Sequence, residues 1–183
     1  MDVQTTPIEG LLLLRSRVFG DDRGSFSETW NQRVLDKAVG AEVRFVQSNE
    51  SRSKAGVLRG LHFQAPPHAQ GKLVRVVKGK VLDVAVDLRV GSPTYGQHHA
   101  ALLSQENRWQ FFVPAGFAHG FLTLEDDTVF QYFCTNLYHP ESERALRWDD
   151  ADLGIEWGID APLVSDKDKE AKAFATLESP FVL

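Results

Sequence analysis

The chain has 183 residues, 43% hydrophobic and 25% charged, a globular composition that fits one domain over residues 1–183 and leaves little room for two independent cores. A formal net charge of -5 excludes a general positive field for coating nucleic acid, so any anion site must be local. The single cysteine, Cys134, excludes an internal disulfide and a cysteine zinc cluster, which favours a reducing, cytoplasmic setting.

From the N-terminus, Leu11–Val18 is the first strand candidate, and its apolar run Leu11–Leu14 falls far short of the roughly 20 residues of a membrane span. Ser25–Thr29 follows a turn rich in Gly and Asp. Asn31–Val39 predicts a helix, with Asn31 as cap and Val34, Leu35, Ala38 and Val39 near helical spacing. Phe45–Asn49, Val57–Gln64 and Leu73–Val77 read as strands. Val81–Arg89 alternates most clearly: Leu82, Val84, Val86 and Leu88 form one greasy face, while Asp83, Asp87 and Arg89 punctuate the other. Lys78-Gly79-Lys80 before it is short enough for a hairpin, and Gly91-Ser92-Pro93-Thr94 after it has turn chemistry. His98–Leu103, Gln110–Val113, His119–Thr123 and Thr128–Thr135 complete the strands. Trp148–Trp157 reads as an ordered surface excursion, and Ser165–Ala175 as a second helix. Nine or ten strands with little helix predict an all-β sandwich or barrel.

His62 stands in a strand-like segment where core packing favours Val, Ile or Phe, with Arg59 and Lys72 close in sequence. An imidazole between two cations suggests an anionic ligand held beside a base. Regular alternation puts Arg59 and His62 on opposite faces, so a bulge at Gly60 is expected if both serve one site, and unbroken pairing through Gly60 would count against it. Asp168, in the late helical segment, can orient the His62 ring and raise its basicity. Pro114 to Phe121 forms a tight turn that delivers His119 toward the interior beside Phe117 and Phe121. His62, His68 and His119 could form an imidazole metal site, but there is no His-X-His pair and no Glu soon after His62, so no metal is expected. Tyr132 and Tyr138 carry phenols able to protonate a carbanion. Arg23, in a glycine-flanked turn, can grip a diphosphate. No Gly-rich Lys-Ser/Thr loop, paired-glycine dinucleotide fingerprint or nucleophile elbow is present, which leaves phosphoryl and hydride transfer unsupported.

Together these segments resemble the dTDP-4-dehydrorhamnose 3,5-epimerases, a cupin-like jelly-roll family of nucleotide-sugar metabolism. The resemblance is carried by Val18 to Gly24, Val57 to Gln64, Gln70 to Arg75, Gly91 to Gln97, Pro114 to Phe121 and Leu153 to Trp157, and covers nearly the whole chain. It implies a cupin-like jelly-roll β-sandwich or barrel with a few short peripheral helices. It also implies His62 as general base with Asp168 as its partner, Tyr132 as general acid and Lys72 as the cation at the sugar ketone. Arg23, Glu28, Gln47, Asn49, Arg59, His119, Glu143 and Lys167 match substrate contacts, and Tyr138 matches an aromatic pocket residue. Ser48, Glu50 and Leu137 depart from the pattern of many members.

The activity so implied is inversion at C3 and C5 of dTDP-4-dehydro-6-deoxy-D-glucose, giving dTDP-4-dehydro-L-rhamnose, by a cytoplasmic homodimer without cofactor or metal. Three alternatives stand beside it: a mono-epimerase or ketoisomerase on a related dTDP-4-keto-deoxysugar, a non-catalytic sugar-nucleotide-binding cupin, and a metal-dependent cupin dioxygenase.

Overall fold

The strand-forming runs pair into two facing antiparallel sheets in a computed structural model that describes residues 1–183. The first half of the chain supplies β1 (Asp2–Thr5), β2 (Leu12–Arg15), β3 (Val18–Asp21), β4 (Gly24–Ser27), β5 (Gln47–Ser53), β6 (Leu58–Gln64) and β7 (Lys72–Lys78). The second supplies β8 (Lys80–Asp87), β9 (Arg89–Val90), β10 (His98–Ser104), β11 (Trp109–Val113), β12 (Phe117–Thr123), β13 (Thr128–Cys134), β14 (Glu143–Ala145) and β15 (Phe181–Val182). Two short helices, α1 (Gln32–Val39) and α2 (Asp166–Lys169), complete the set. A six-stranded sheet runs β1-β2-β11-β7-β13-β5 and faces a five-stranded sheet, β10-β8-β12-β6-β14. This is the expected jelly-roll sandwich. No helix is long and apolar enough to cross a membrane.

Three apolar layers hold it together. Between the sheets, Val74, Val76, Phe111 and Phe130 pack with Val81, Ala85, Phe117 and Phe121. Outside the six-stranded sheet, Leu35 and Val43 cover Leu12, Leu14, Leu73 and Phe112. Outside the five-stranded sheet, Leu153 and Trp157 join Leu58, Val84, Val86, Leu88 and Leu122. Both faces of the central strands are therefore dry, and the two faces of Val81–Arg89 are both covered. Val84, Val86 and Leu88 face the outer layer, whereas Val81 and Ala85 join the inter-sheet core and Asp83 and Asp87 are fully buried. The polar side of that strand is an interior side.

Other expectations are corrected by tertiary context. Lys78-Gly79-Lys80 makes no hairpin: β7 and β8 lie in different sheets, and Gly79, at φ +82°, turns the chain from one to the other against Thr128. Leu11–Val18 splits into β2 and β3, the latter pairing only with β4 in a separate hairpin. The first helix stands as expected, with Asn31 Oδ1 accepting from Val34 N–H (3.3 Å). The second stops after four residues. Its continuation is captured elsewhere: Lys172 C=O accepts from Arg147 N–H (2.9 Å), and Phe174 N–H donates to buried Asp150 (2.7 Å).

Candidate active site

A pocket of about 490 Å³ opens between the sheets. The five-stranded sheet contributes Arg59 and His62 from β6 and His119 from β12, while the six-stranded sheet contributes Lys72 from β7 and Tyr132 from β13. Lys167 and Asp168 close one side from α2. This packing depends on a distorted strand. His62 stands opposite His119 and Arg59 opposite Phe121, so three steps on β6 span two on β12, the bulge expected at Gly60. Gly60 has φ +122°, and a Cβ there would lie 2.5 Å from Gly120 Cα and 2.8 Å from His119 O. Only glycine fits this crossing, and the bulge brings Arg59 and His62 to one cavity.

The chain beyond the second sheet delivers the partner of His62. Leu163 bridges to the start of β6, its N–H donating to Gly56 O (2.7 Å) and its C=O accepting from Leu58 N–H (3.0 Å). Ser165 then caps α2 by accepting from Asp168 N–H (3.2 Å). Asp168 is thereby placed with Oδ1 2.5 Å from His62 Nε2 and Oδ2 accepting from Gly60 N–H at 3.4 Å. Burial alone would raise the Asp168 carboxyl, but its bond to His62, reinforced by Gly60 and Ser165, leaves it below the ordinary carboxylate value. A charged carboxylate therefore faces the imidazole.

A second His–Asp pair lies deeper. His119 Nε2 is 2.8 Å from Asp83 Oδ1, and both residues are buried. Asp83 Oδ2 has no hydrogen-bond partner, and burial raises this carboxyl against the opposing pull of His119 and Lys72. Burial likewise lowers Lys72, opposed by Cys134, Asp83 and Glu143. Tyr132 is raised, chiefly by burial, so its phenol keeps its proton across the neutral range. At the rim, Tyr138 Oη donates to Glu143 Oε2 (2.7 Å), and Lys167 Nζ pairs with the same oxygen. Burial would raise Glu143, yet Lys167 and Tyr138 hold it below its ordinary value. An imidazole base, a protonated phenol and a cation thus share one cavity, which suits proton removal beside a carbonyl followed by proton return.

The dTDP-4-dehydrorhamnose 3,5-epimerase family model matches residues 5–176. The chain belongs to this family. Among similar proteins, the dTDP-4-dehydrorhamnose 3,5-epimerase of Pseudomonas aeruginosa is 54% identical over 169 residues, covering 92% of this chain and 93% of that protein. A dTDP-6-deoxy-D-glucose-3,5-epimerase from Legionella pneumophila, solved in complex with dTDP-4-keto-L-rhamnose, is 44% identical with TM-score 0.93, over 97% of this chain and 94% of that one. A 3'-monoepimerase from Streptomyces bikiniensis in complex with dTDP-quinovose is 34% identical with TM-score 0.91, covering 97% and 91% of the two chains.

Not every expected contact sits in one pocket. Gln47 and Asn49 lie on the same face of β5 as the pocket residue Ser51, joined by a Gln47 Nε2 to Asn49 Oδ1 bond of 3.0 Å. Gln47 Oε1 also accepts from Tyr138 N–H (3.0 Å), tying this strand to the rim. The departures Ser48 and Glu50 take the alternate, exposed positions of β5, and Leu137 is exposed as well. Arg23 and Glu28 are not brought to the pocket: Arg23 pairs with Asp21 in the β3–β4 turn, and Glu28 accepts from Asn31 Nδ2 (3.1 Å). The imidazole triad considered from sequence is also dispersed, because His68 stacks on His139 rather than joining His62 and His119. Two features escaped the sequence reading. Ser51 has no motif signal, and Asp83, set on the polar face of its strand, had no assigned role at the site.

Proposed function

We propose that the chain inverts C3 and C5 of dTDP-4-dehydro-6-deoxy-D-glucose, with His62 as base, Tyr132 as acid and Lys72 at the ketone oxygen. The C4 carbonyl acidifies the neighbouring C–H bonds, because the electron pair left by deprotonation moves onto oxygen. His62 takes that proton, and Asp168 holds the imidazole orientation and stabilises the imidazolium that forms. Lys72 lines the same cavity from the six-stranded sheet, where it can meet the enolate oxygen; such a donor typically contributes about 3 kcal/mol. Tyr132 returns a proton to carbon. What leaves as a proton returns as a proton, so the step needs no oxidant or reductant.

One observation carries this reading: His62 projects from the five-stranded sheet and Tyr132 from the six-stranded sheet into the same cavity. Base and acid on opposite walls act on opposite faces of a flat intermediate, which is the requirement for inversion. Arg59, His119, Lys167 and the Tyr138–Glu143 rim supply polar contacts to substrate.

Arg23 and Glu28 enter through a second copy. Their hairpin is exposed along its length, with Phe26 70% and Phe19 54% exposed, and its strands pair only with each other. In a homodimer the arm of one protomer covers the pocket of the other and offers Arg23 to the diphosphate. We place this reaction in the cytoplasm.

Incubation with the 4-keto sugar nucleotide in deuterated water tests the reading. Deuterium at both C3 and C5 of the product is expected. Label at one carbon selects a mono-epimerase, a reading kept open because a 3'-monoepimerase shares the fold at TM-score 0.91. Binding without label at either carbon would leave a sugar-nucleotide-binding protein and overturn the catalytic assignment.

A further inference from the structure

His68, His139 and Glu141 form a cluster outside the pocket that the epimerase reaction does not use. His68 lies in the β6–β7 connection; His139 precedes, and Glu141 belongs to, the single turn Pro140–Ser142 between β13 and β14. Glu141 Oε1 is 3.1 Å from His139 Nδ1 and 4.0 Å from His68 Nε2. One ligand-capable atom from each residue falls within 4.8 Å of the other two. The rings stack with centroids 3.5 Å apart and planes inclined by 12°.

We propose that these three residues bind one divalent transition-metal ion of the zinc type. Two imidazoles and one carboxylate are a borderline-soft donor set, suited to zinc, cobalt, nickel or copper rather than magnesium or calcium. Bonds of about 2.0–2.2 Å to such an ion put tetrahedral ligands roughly 3.4 Å apart, so the atoms must close by little more than an ångström. Glu141, with its side chain 67% exposed, swings freely, and the rings need only splay from their stack to aim both lone pairs at the ion. The backbones are already fixed. Gln64, buried on β6, donates from Nε2 to His68 O (2.8 Å) and Leu137 O (3.0 Å), while its Oε1 accepts from His139 N–H (2.7 Å). One buried amide therefore holds both histidine-bearing loops in register, the outer support that a metal site requires.

The site's consequence is mechanical. An ion would staple the β6–β7 connection to the turn that lies between Tyr138 and Glu143, both at the rim of the pocket. The inference does not depend on the epimerase reading, and the expectation of a metal-free reaction concerns the pocket rather than this surface.

The test is a zinc titration of chelator-treated, tag-free protein by calorimetry, with histidine ring resonances followed by NMR. One equivalent is expected to bind saturably, to shift the His68 and His139 signals ahead of those of His62 and His119, and to raise the melting temperature. His68→Gln or His139→Gln should weaken binding roughly tenfold or more, and the double variant should lose both the equivalent and the thermal shift. These side chains are partly exposed, so unchanged circular dichroism verifies folding. No saturable binding up to millimolar zinc, or an undiminished equivalent in the double variant, would overturn the assignment.

Discussion

Two His–Asp pairs face each other across the β6–β12 ladder, and they differ in what completes the carboxylate. Asp168 bonds His62 through one oxygen and accepts from Gly60 N–H through the other. Asp83 bonds His119 through one oxygen and leaves the other buried and unpartnered. Their shifts also differ: His62 outweighs burial at Asp168, which ends below its ordinary value, whereas at Asp83 burial outweighs His119 and Lys72 and lifts the carboxyl above it. A His–Asp contact therefore does not by itself define a catalytic dyad. The bond and charge of His62, with Gly60 N–H adding to them, keep Asp168 charged at the cavity wall, while Asp83 sits in a drier position where its main electrostatic partners are His119 and Lys72.

The strongest way to break the comparison is to disable each pair in turn. His62→Asn should lower kcat about a thousandfold and abolish deuterium exchange at C3 and C5. Asp168→Asn should cost about a hundredfold or more, because a neutral amide neither fixes the tautomer nor stabilises imidazolium. Asp83→Asn should cost distinctly less, on the order of tenfold, acting through Lys72 and His119 rather than through the base. Steady-state kinetics with product NMR checks all three, and equal losses at Asp83 and Asp168 would erase the distinction. Tyr132→Phe sharpens it further: exchange by His62 continues while inversion falls, since the phenol that returns the proton is gone. In stability the two carboxylates also have opposite signs. Asp168, depressed below 3.8, contributes stability present above that pH and lost as pH falls through its folded value; Asp83, raised above 3.8, withdraws stability as pH climbs from 3.8 through its folded value.

Next in size is the backbone that joins the pairs. Gly60→Ala combines a φ of +122° with a Cβ 2.5 Å from Gly120 Cα, and should cost about 3 kcal/mol in urea unfolding with loss of activity. Gly24→Ala, at φ +130° in open space, should cost only about 1 kcal/mol. A similar cost at both positions would mean that conformation alone, and not the close approach of β12, makes Gly60 necessary.

A third aspartate shows full completion. Asp87, on the same strand as Asp83 and equally buried, would be raised by burial, but Arg89, Ser92 and Thr94 bond it and bring it down to about 2. Its shift from 3.8 corresponds to about 2 kcal/mol of stability. That contribution is fully present above pH 3.8 and lost as pH falls through about 2. Asp87→Asn should therefore unfold about 2 kcal/mol more easily at pH 7, with the gap to the unsubstituted protein closing in acid.

These carboxylates mark where the sequence was legible and where it was not. Strand positions followed from alternation, and the bulge followed from an odd spacing between Arg59 and His62 around a glycine. A base needs an orienting acid, and it was the family resemblance that singled out Asp168 for His62. Asp83 and Asp87 lie on the face that alternation gives them, but alternation shows that two faces differ, not which are covered, and here the outer face is also buried, by the segment from Leu153 to Phe181. The same segment explains the short α2, since capture of Lys172 and Phe174 by residues 147–150 overrides local helix propensity. The His68–His139 stack joins two loops 71 positions apart in the chain, and no local pattern encodes that meeting.

The smallest stability effect is expected where the chain leaves its own fold. Arg23 pairs with Asp21 on the exposed hairpin, where solvent screens the pair, so Arg23→Ala should leave the urea unfolding midpoint unchanged. Its catalytic effect should appear in KM, with kcat held, because a lost diphosphate contact weakens binding without touching the proton-transfer groups. If the arm serves a neighbour's pocket, the two defects are separable between chains. Mixing Arg23→Ala with His62→Asn protomers creates one pocket with an intact His62 covered by an intact Arg23. Low-KM activity should then return on subunit exchange although neither parent has it. Failure to recover it from demonstrated heterodimers would assign Arg23 to its own protomer or to no substrate contact at all.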